Sequence, residues 1–90
     1  MNHRQVVQAV GRRLPHVARH TVAEVLEVAG EVWAEALSKP GGMIVLINLG
    51  RLSVDVKPGV LGDEKVQRIY FRFRPAGWLK EQVRDETQKE

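Results

Sequence analysis

The chain has 90 residues, 14 basic against 11 acidic, for a net charge of +3 and a pI near 9.7. One domain is the ceiling at this length, and a monomer would hide only roughly two-thirds of its unfolded-chain surface, so a partner subunit is expected. The absence of cysteine excludes a disulfide framework and a thiolate metal site, and the longest apolar run, Met43 to Ile47, is far too short to span a bilayer.

The opening Met-Asn-His-Arg carries no secretory apolar stretch before its first charge, so a cytoplasmic location is expected. From His3 to Leu14, the residues Val6, Val7, Ala9, Val10 and Leu14 form a stripe at helical spacing, with Asn2 as a suitable N-cap. Leu14-Pro15 then turns the chain out of helix. Residues 1–20 hold Arg4, Arg12, Arg13 and Arg19 and no acid, a local charge of +4.

The second helix is the clearest element. Val22, Val25/Leu26, Ala29, Trp33 and Ala36/Leu37 recur at three and four residues, and Glu24, Glu27, Glu31 and Glu35 line the other side. Thr21 with Glu24 reads as a capping box, although a start near Ala18 fits as well. Gly30 in the helix interior costs about 1 kcal/mol against alanine. It is either tolerated or marks the close passage of another helix. Pro40-Gly41-Gly42 ends the helix.

From Met43 the period changes to two. Met43 to Leu49 is a β-type run with a bend at Asn48-Leu49-Gly50, and Arg51 to Lys57 alternates as a half-buried strand. Pro-Gly and Gly-Asp signals make Pro58 to Lys65 a turn region. In Val66 to Phe73, Ile69, Phe71 and Phe73 form the core side, and Arg68, Tyr70 and Arg72 the wet side. Trp78, Leu79 and Val83 suit a short last helix running into a charged tail. Lys39 to Lys80 carries +5, so a dimer would gather +10 around its strands. The order is helix, helix, strand, strand, strand, helix: an α+β domain.

Little here suits catalysis. Ser38 and Ser53 sit in no nucleophile context, and the glycines form no phosphate-binding signature. His16 and His20, four apart, have metal-ligand spacing without an evident third ligand and read more simply as solvated residues. The chain is therefore read as a non-enzyme with no cofactor, small-molecule substrate or membrane. Arg68, Tyr70 and Arg72, with Arg51 and Lys57 on the neighbouring strand, are the set with a chemical use. A basic ribbon face can follow a phosphate backbone, where neutralised phosphates release counterions. The plainer account is solubility chemistry on the wet face of an antiparallel sheet.

Taken in order, several strings resemble the HU/IHF family of bacterial nucleoid DNA-binding proteins. They are NHRQVVQAV near the start, WAEALSK at the end of the long helix, VLINLGRLSV, and FRFRPAGWLKEQV. Phe73, Arg74, Pro75, Leu79 and Lys80 look like the family's F-[KR]-P-x-x-x-L-K ending. Asn48-Leu49-Gly50-Arg51-Leu52 looks like its G-F-G-x-F turn, with leucines in the phenylalanine places. The resemblance covers Asn2 to about Val83. It implies an intertwined homodimer in the nucleoid: residues 1–42 a helical dimerisation part, 43–75 a β-saddle with an arm, and 76–90 a terminal helix and charged tail. It also implies non-specific binding and condensation of double-stranded DNA through Arg51, Lys57, Lys65, Arg68, Arg72, Arg74 and Lys80.

The chain departs from the family at the arm. Gly50 to Phe73 is several positions shorter than the resemblance leads one to expect, and the Arg-Asn-Pro tip is replaced by Lys57-Pro58-Gly59-Val60-Leu61-Gly62-Asp63-Glu64-Lys65. Asp55 stands where a base is expected, and Gly77 where a lysine is common. These departures imply weak bending or none, with Pro58 or Val60-Leu61 more simply an ordinary hairpin turn than a wedge. The alternative is an HU-fold module for protein–protein interaction, docking through the glutamate face of the second helix or the Val60-Leu61 tip.

Overall fold

The computed structural model describes residues 1–88; Lys89 and Glu90, the end of the expected charged tail, lie outside the described residues. It is an α+β chain with the elements α1 (His3–Arg13), α2 (Arg19–Leu37), β1 (Met43–Leu46), β2 (Gly50–Leu61), β3 (Glu64–Pro75) and α3 (Gly77–Gln88). The three strands form one antiparallel sheet in the order β1-β2-β3. The chain divides into two compact units, Met1–Ala34 and Glu35–Glu90.

In the first unit, α1 begins as its sequence dictates. The Asn2 side chain accepts from the Gln5 N–H at 2.9 Å, and Gln5 Oε1 accepts from the Asn2 N–H at 2.8 Å, a reciprocal capping box. Arg12 and Arg13 fall in the last turn, where the helix dipole favours positive charge. The helix α2 starts at Arg19, so Thr21 and Glu24 lie inside its first turns instead of capping it; the N–H groups of Thr21 and Val22 bond to the Ala18 carbonyl. Val22, 4% exposed, is the buried apolar centre of this unit, in a pocket also lined by Val10, Leu14, Val17 and Leu26. Val25, Val28, Val32 and Trp33 remain exposed along α2. Among the described residues, nothing beyond the adjoining backbone of α2 itself lies within 4 Å of a methyl placed on Gly30.

In the second unit, Gly41 and Gly42 do more than end α2. The Gly41 N–H bonds to the Val54 carbonyl at 3.0 Å, and the Val54 N–H to the Gly42 carbonyl at 2.9 Å. This brings the segment alongside β2, where Val54 is 4% exposed and is the sheet's buried residue. The strand β1 stops at Leu46, shorter than the apolar run suggests, because Asn48 takes a left-handed conformation (φ 67°) and the Leu49 N–H turns back to the Leu46 carbonyl.

The β2–β3 hairpin is longer than its Pro58-Gly59 signal implies. Pairing continues without interruption from Gly50↔Pro75 to Leu61↔Glu64, and the turn is the two residues Gly62-Asp63. Positive φ at Gly62 alone (65°) is the pattern of a type II′ turn, whose twist matches that of the strands it joins. Pro58 is tolerated within β2 because β1 pairs no further than Ser53, which leaves β2 an edge strand there. At about 3.3 Å per residue, Val54 to Leu61 extends some 23 Å as a two-stranded ribbon. The tail is also more ordered than expected, since α3 continues to Gln88.

One expectation about packing changes. Ile69, Phe71 and Phe73 are 62%, 68% and 49% exposed, not core. Ile69 and Phe71 edge a hollow of about 260 Å³ with Leu37, Pro40, Val54 and Val56. The strand alternates in sequence as a buried strand does, but within this unit, among the described residues, that face stays exposed.

Candidate functional site

The register of β2 and β3 decides which side chains share a face. Directly paired residues lie on the same side of a sheet, and alternate residues return to it. The pairs Arg51↔Arg74, Ser53↔Arg72, Asp55↔Tyr70 and Lys57↔Arg68 therefore set Arg51, Lys57, Arg68, Arg72 and Arg74 on one face. All five are exposed. Asp55 is on the same face, and Glu64 lies at its far end, opposite Leu61.

Neighbours hold several of these cations in place. Arg72 Nε lies 3.6 Å from Asp55 Oδ2, both side chains about half exposed (48% and 47%). Lys57 Nζ stands 5.9 Å from the centre of the Tyr70 ring, at the outer range of a cation–π contact. Arg68 lies across Gly59, so closely that a methyl there would fall 2.9 Å from Arg68 Nε. Its aliphatic stem thus follows the ribbon while the guanidinium stays in water.

Two of the expected site residues stand elsewhere. Lys65 pairs with Val60 and so lies on the opposite, apolar face of the ribbon near its tip. Reading Pro58 to Lys65 as a turn hid this, because only a residue inside a strand has a defined face. Lys80 is an exposed residue of α3, beside a hollow lined with Pro75, Leu79, Val83 and Arg84. Arg84 is held by Glu81 at 3.1 Å.

Sequence reasoning also missed what surrounds Arg51 and Arg74. They open onto a hollow of about 480 Å³, bounded by Val45, Ile47 and Asn48. The signal was present in Asn48-Leu49-Gly50-Arg51, but only the strand register brings Arg74 opposite Arg51. Among the described residues no group of three potential metal ligands gathers, and no helix is long and apolar enough to cross a membrane. No protein-family model matches the chain, and a search of curated proteins finds no match either.

Proposed function

We propose that the chain is an HU/IHF-like architectural protein that binds duplex DNA, with little sequence preference, as a homodimer. The observation that carries this reading is the alignment of Arg51, Lys57, Arg68, Arg72 and Arg74 on one exposed face of a long two-stranded ribbon. Such a face follows a phosphate backbone without reading bases, because phosphate contacts position a protein but carry no sequence information. The resemblance of the F-R-P-x-x-x-L-K ending and of the Asn48–Leu52 turn points the same way. The homodimer is supported by the apolar side chains left uncovered in each unit: Val25, Val28 and Val32 on α2, and Ile69, Phe71 and Phe73 on β3. An exposed apolar surface of that extent marks an interaction site on a soluble chain.

Bending is weak in this reading. The ribbon tip carries Val60, Leu61, Asp63 and Glu64 where a cationic tip would grip, and Asp55 occupies part of the charge of Arg72. A second reading, a protein-interaction module on the same fold, is favoured by that same Asp55–Arg72 pair and by the exposed Val60 and Leu61.

The deciding experiment is a titration of linear and pre-bent duplexes at two salt concentrations. If a dimer neutralises about six phosphates, log affinity falls with log salt at a slope near −5. Changing Arg68, Arg72 and Arg74 together to alanine should flatten that slope by several units. An unchanged slope removes the ribbon face from the DNA interface, and no binding by the wild type favours the protein-interaction reading. A preference of tenfold or more for pre-bent duplex would contradict weak bending.

A further inference from the structure

The structure points to a discrete phosphate site formed by Arg51 and Arg74, which we propose takes one phosphate ester, with the attached sugar against Val45 and Ile47. The proposal rests on the nucleic-acid reading for its natural occupant, a phosphodiester of a DNA strand, but not for the existence of the site.

The two arginines are direct cross-strand partners, so their Cβ atoms are about 5 Å apart and their charges repel. Two other arginines have an acid beside them, Arg72 with Asp55 and Arg84 with Glu81. Among the described residues neither Arg51 nor Arg74 has an ion-pair partner, and no acid lines the hollow they share. Two planar guanidinium forks held side by side are suited to the several acceptor oxygens of one phosphate. An anion between them would turn a repulsion into two charge-assisted contacts.

The backbone keeps the pair in place. Gly50 has φ 146°, a conformation open essentially to glycine alone, and a methyl there would collide with the Arg74 carbonyl oxygen. The strands therefore approach closely just where the two arginines project, and the left-handed Asn48 fixes the rim. The hollow, about 480 Å³, has room for more than a bare anion. Its other wall is apolar and open to solvent: Val45 is 69% exposed and Ile47 87%. Val45 pairs with Arg51 across β1 and β2, which sets its side chain on the same face of the sheet as the guanidinium. A phosphate carrying an apolar-edged sugar matches both walls, whereas inorganic phosphate uses only one.

The test is a set of amide-resonance titrations of the full chain with inorganic phosphate and with thymidine 5′-monophosphate, alongside titrations with duplex DNA. Saturable shifts at Ile47, Asn48, Arg51 and Arg74 are expected with both small probes, with the nucleotide at least threefold tighter. R51A should weaken both at least tenfold, R51K should restore only part, and I47S should weaken the nucleotide but not inorganic phosphate. Arg51 is exposed and its loss removes a repulsion, so a melting temperature equal to or above that of the wild type will show that R51A remains folded. With DNA, R51A should reduce the salt slope by about 0.9 for each copy in contact. Absence of saturable shifts in the wild type, or an R51A protein that binds both small probes as before, overturns the site. If R51A leaves the DNA slope unchanged, the DNA-bound role of the site falls while the DNA reading stands. If the small probes bind and duplex does not, the site serves a free phosphate ester, and it is the DNA reading that falls.

Discussion

Replacing Asp55 by asparagine should make the protein bind DNA more tightly at almost no cost in stability. The carboxylate lies 3.6 Å from Arg72 Nε, and both side chains are about half exposed, so the pair contributes between 0 and about 1 kcal/mol to folding. The amide keeps the shape, and the expected fall in melting temperature is at most about 4–8 °C. The effect on binding is larger, because the acid both repels phosphate and occupies a guanidinium on the face proposed to receive it. Each phosphate contact adds about −0.9 to the slope of log affinity against log salt, so freeing one Arg72 is worth about eightfold at 0.1 M salt. A dimer that uses both copies gains up to the square of that factor. Fluorescence anisotropy with a labelled duplex, at salt concentrations bracketing 0.1 M, reads affinity and slope together. Equal or weaker binding by the variant, with the wild-type slope, would refute the view that Asp55 restrains this face.

Other substitutions test the scaffold and the assembly. Gly50→Ala places a Cβ against the Arg74 carbonyl in a backbone conformation that other residues rarely adopt, and it should cost about 3 kcal/mol, or roughly 12–24 °C in melting temperature; a drop below 5 °C would mean the turn relaxes freely. Phe71→Glu puts a charge in the middle of the exposed apolar face of β3. Fully burying such a ring is worth about 3 kcal/mol, so dimerisation measured by sedimentation should weaken at least a hundredfold; an unchanged association constant would place the interface elsewhere.

The sequence carried the element order, because the apolar period changes sharply at Met43, and it carried the start of α1, because Asn2 and Gln5 form a purely local cap. It misled where local signals compete. Pro58-Gly59 is the louder turn dipeptide, yet Gly62-Asp63 makes the turn, since only that position lets twelve residue pairs form and a proline sits harmlessly on an edge. Turn position fixes register, and register fixes the face of every residue behind it. This is why Lys65 could not be assigned a face until the turn was located, and why the pairs Asp55–Arg72 and Arg51–Arg74 were invisible. The exposure of Ile69, Phe71 and Phe73 was illegible for another reason: alternation shows that a face is meant to be covered, not which molecule covers it.

The strand β3 lies at the outside of the sheet, and beyond Ser53 the hairpin pairs with no third full strand. Its backbone thus offers an open row of donors and acceptors to any extended chain, the usual starting point of edge-to-edge aggregation. Lys65, Arg68, Arg72 and Arg74 stand along that row, and their mutual repulsion keeps identical edges apart. The three arginines proposed to contact phosphate are therefore also a guard on solubility. Neutralising them together invites precipitation as well as loss of binding, and a charge-reversed glutamate variant would separate the two effects, since it abolishes phosphate contact while keeping the edge charged.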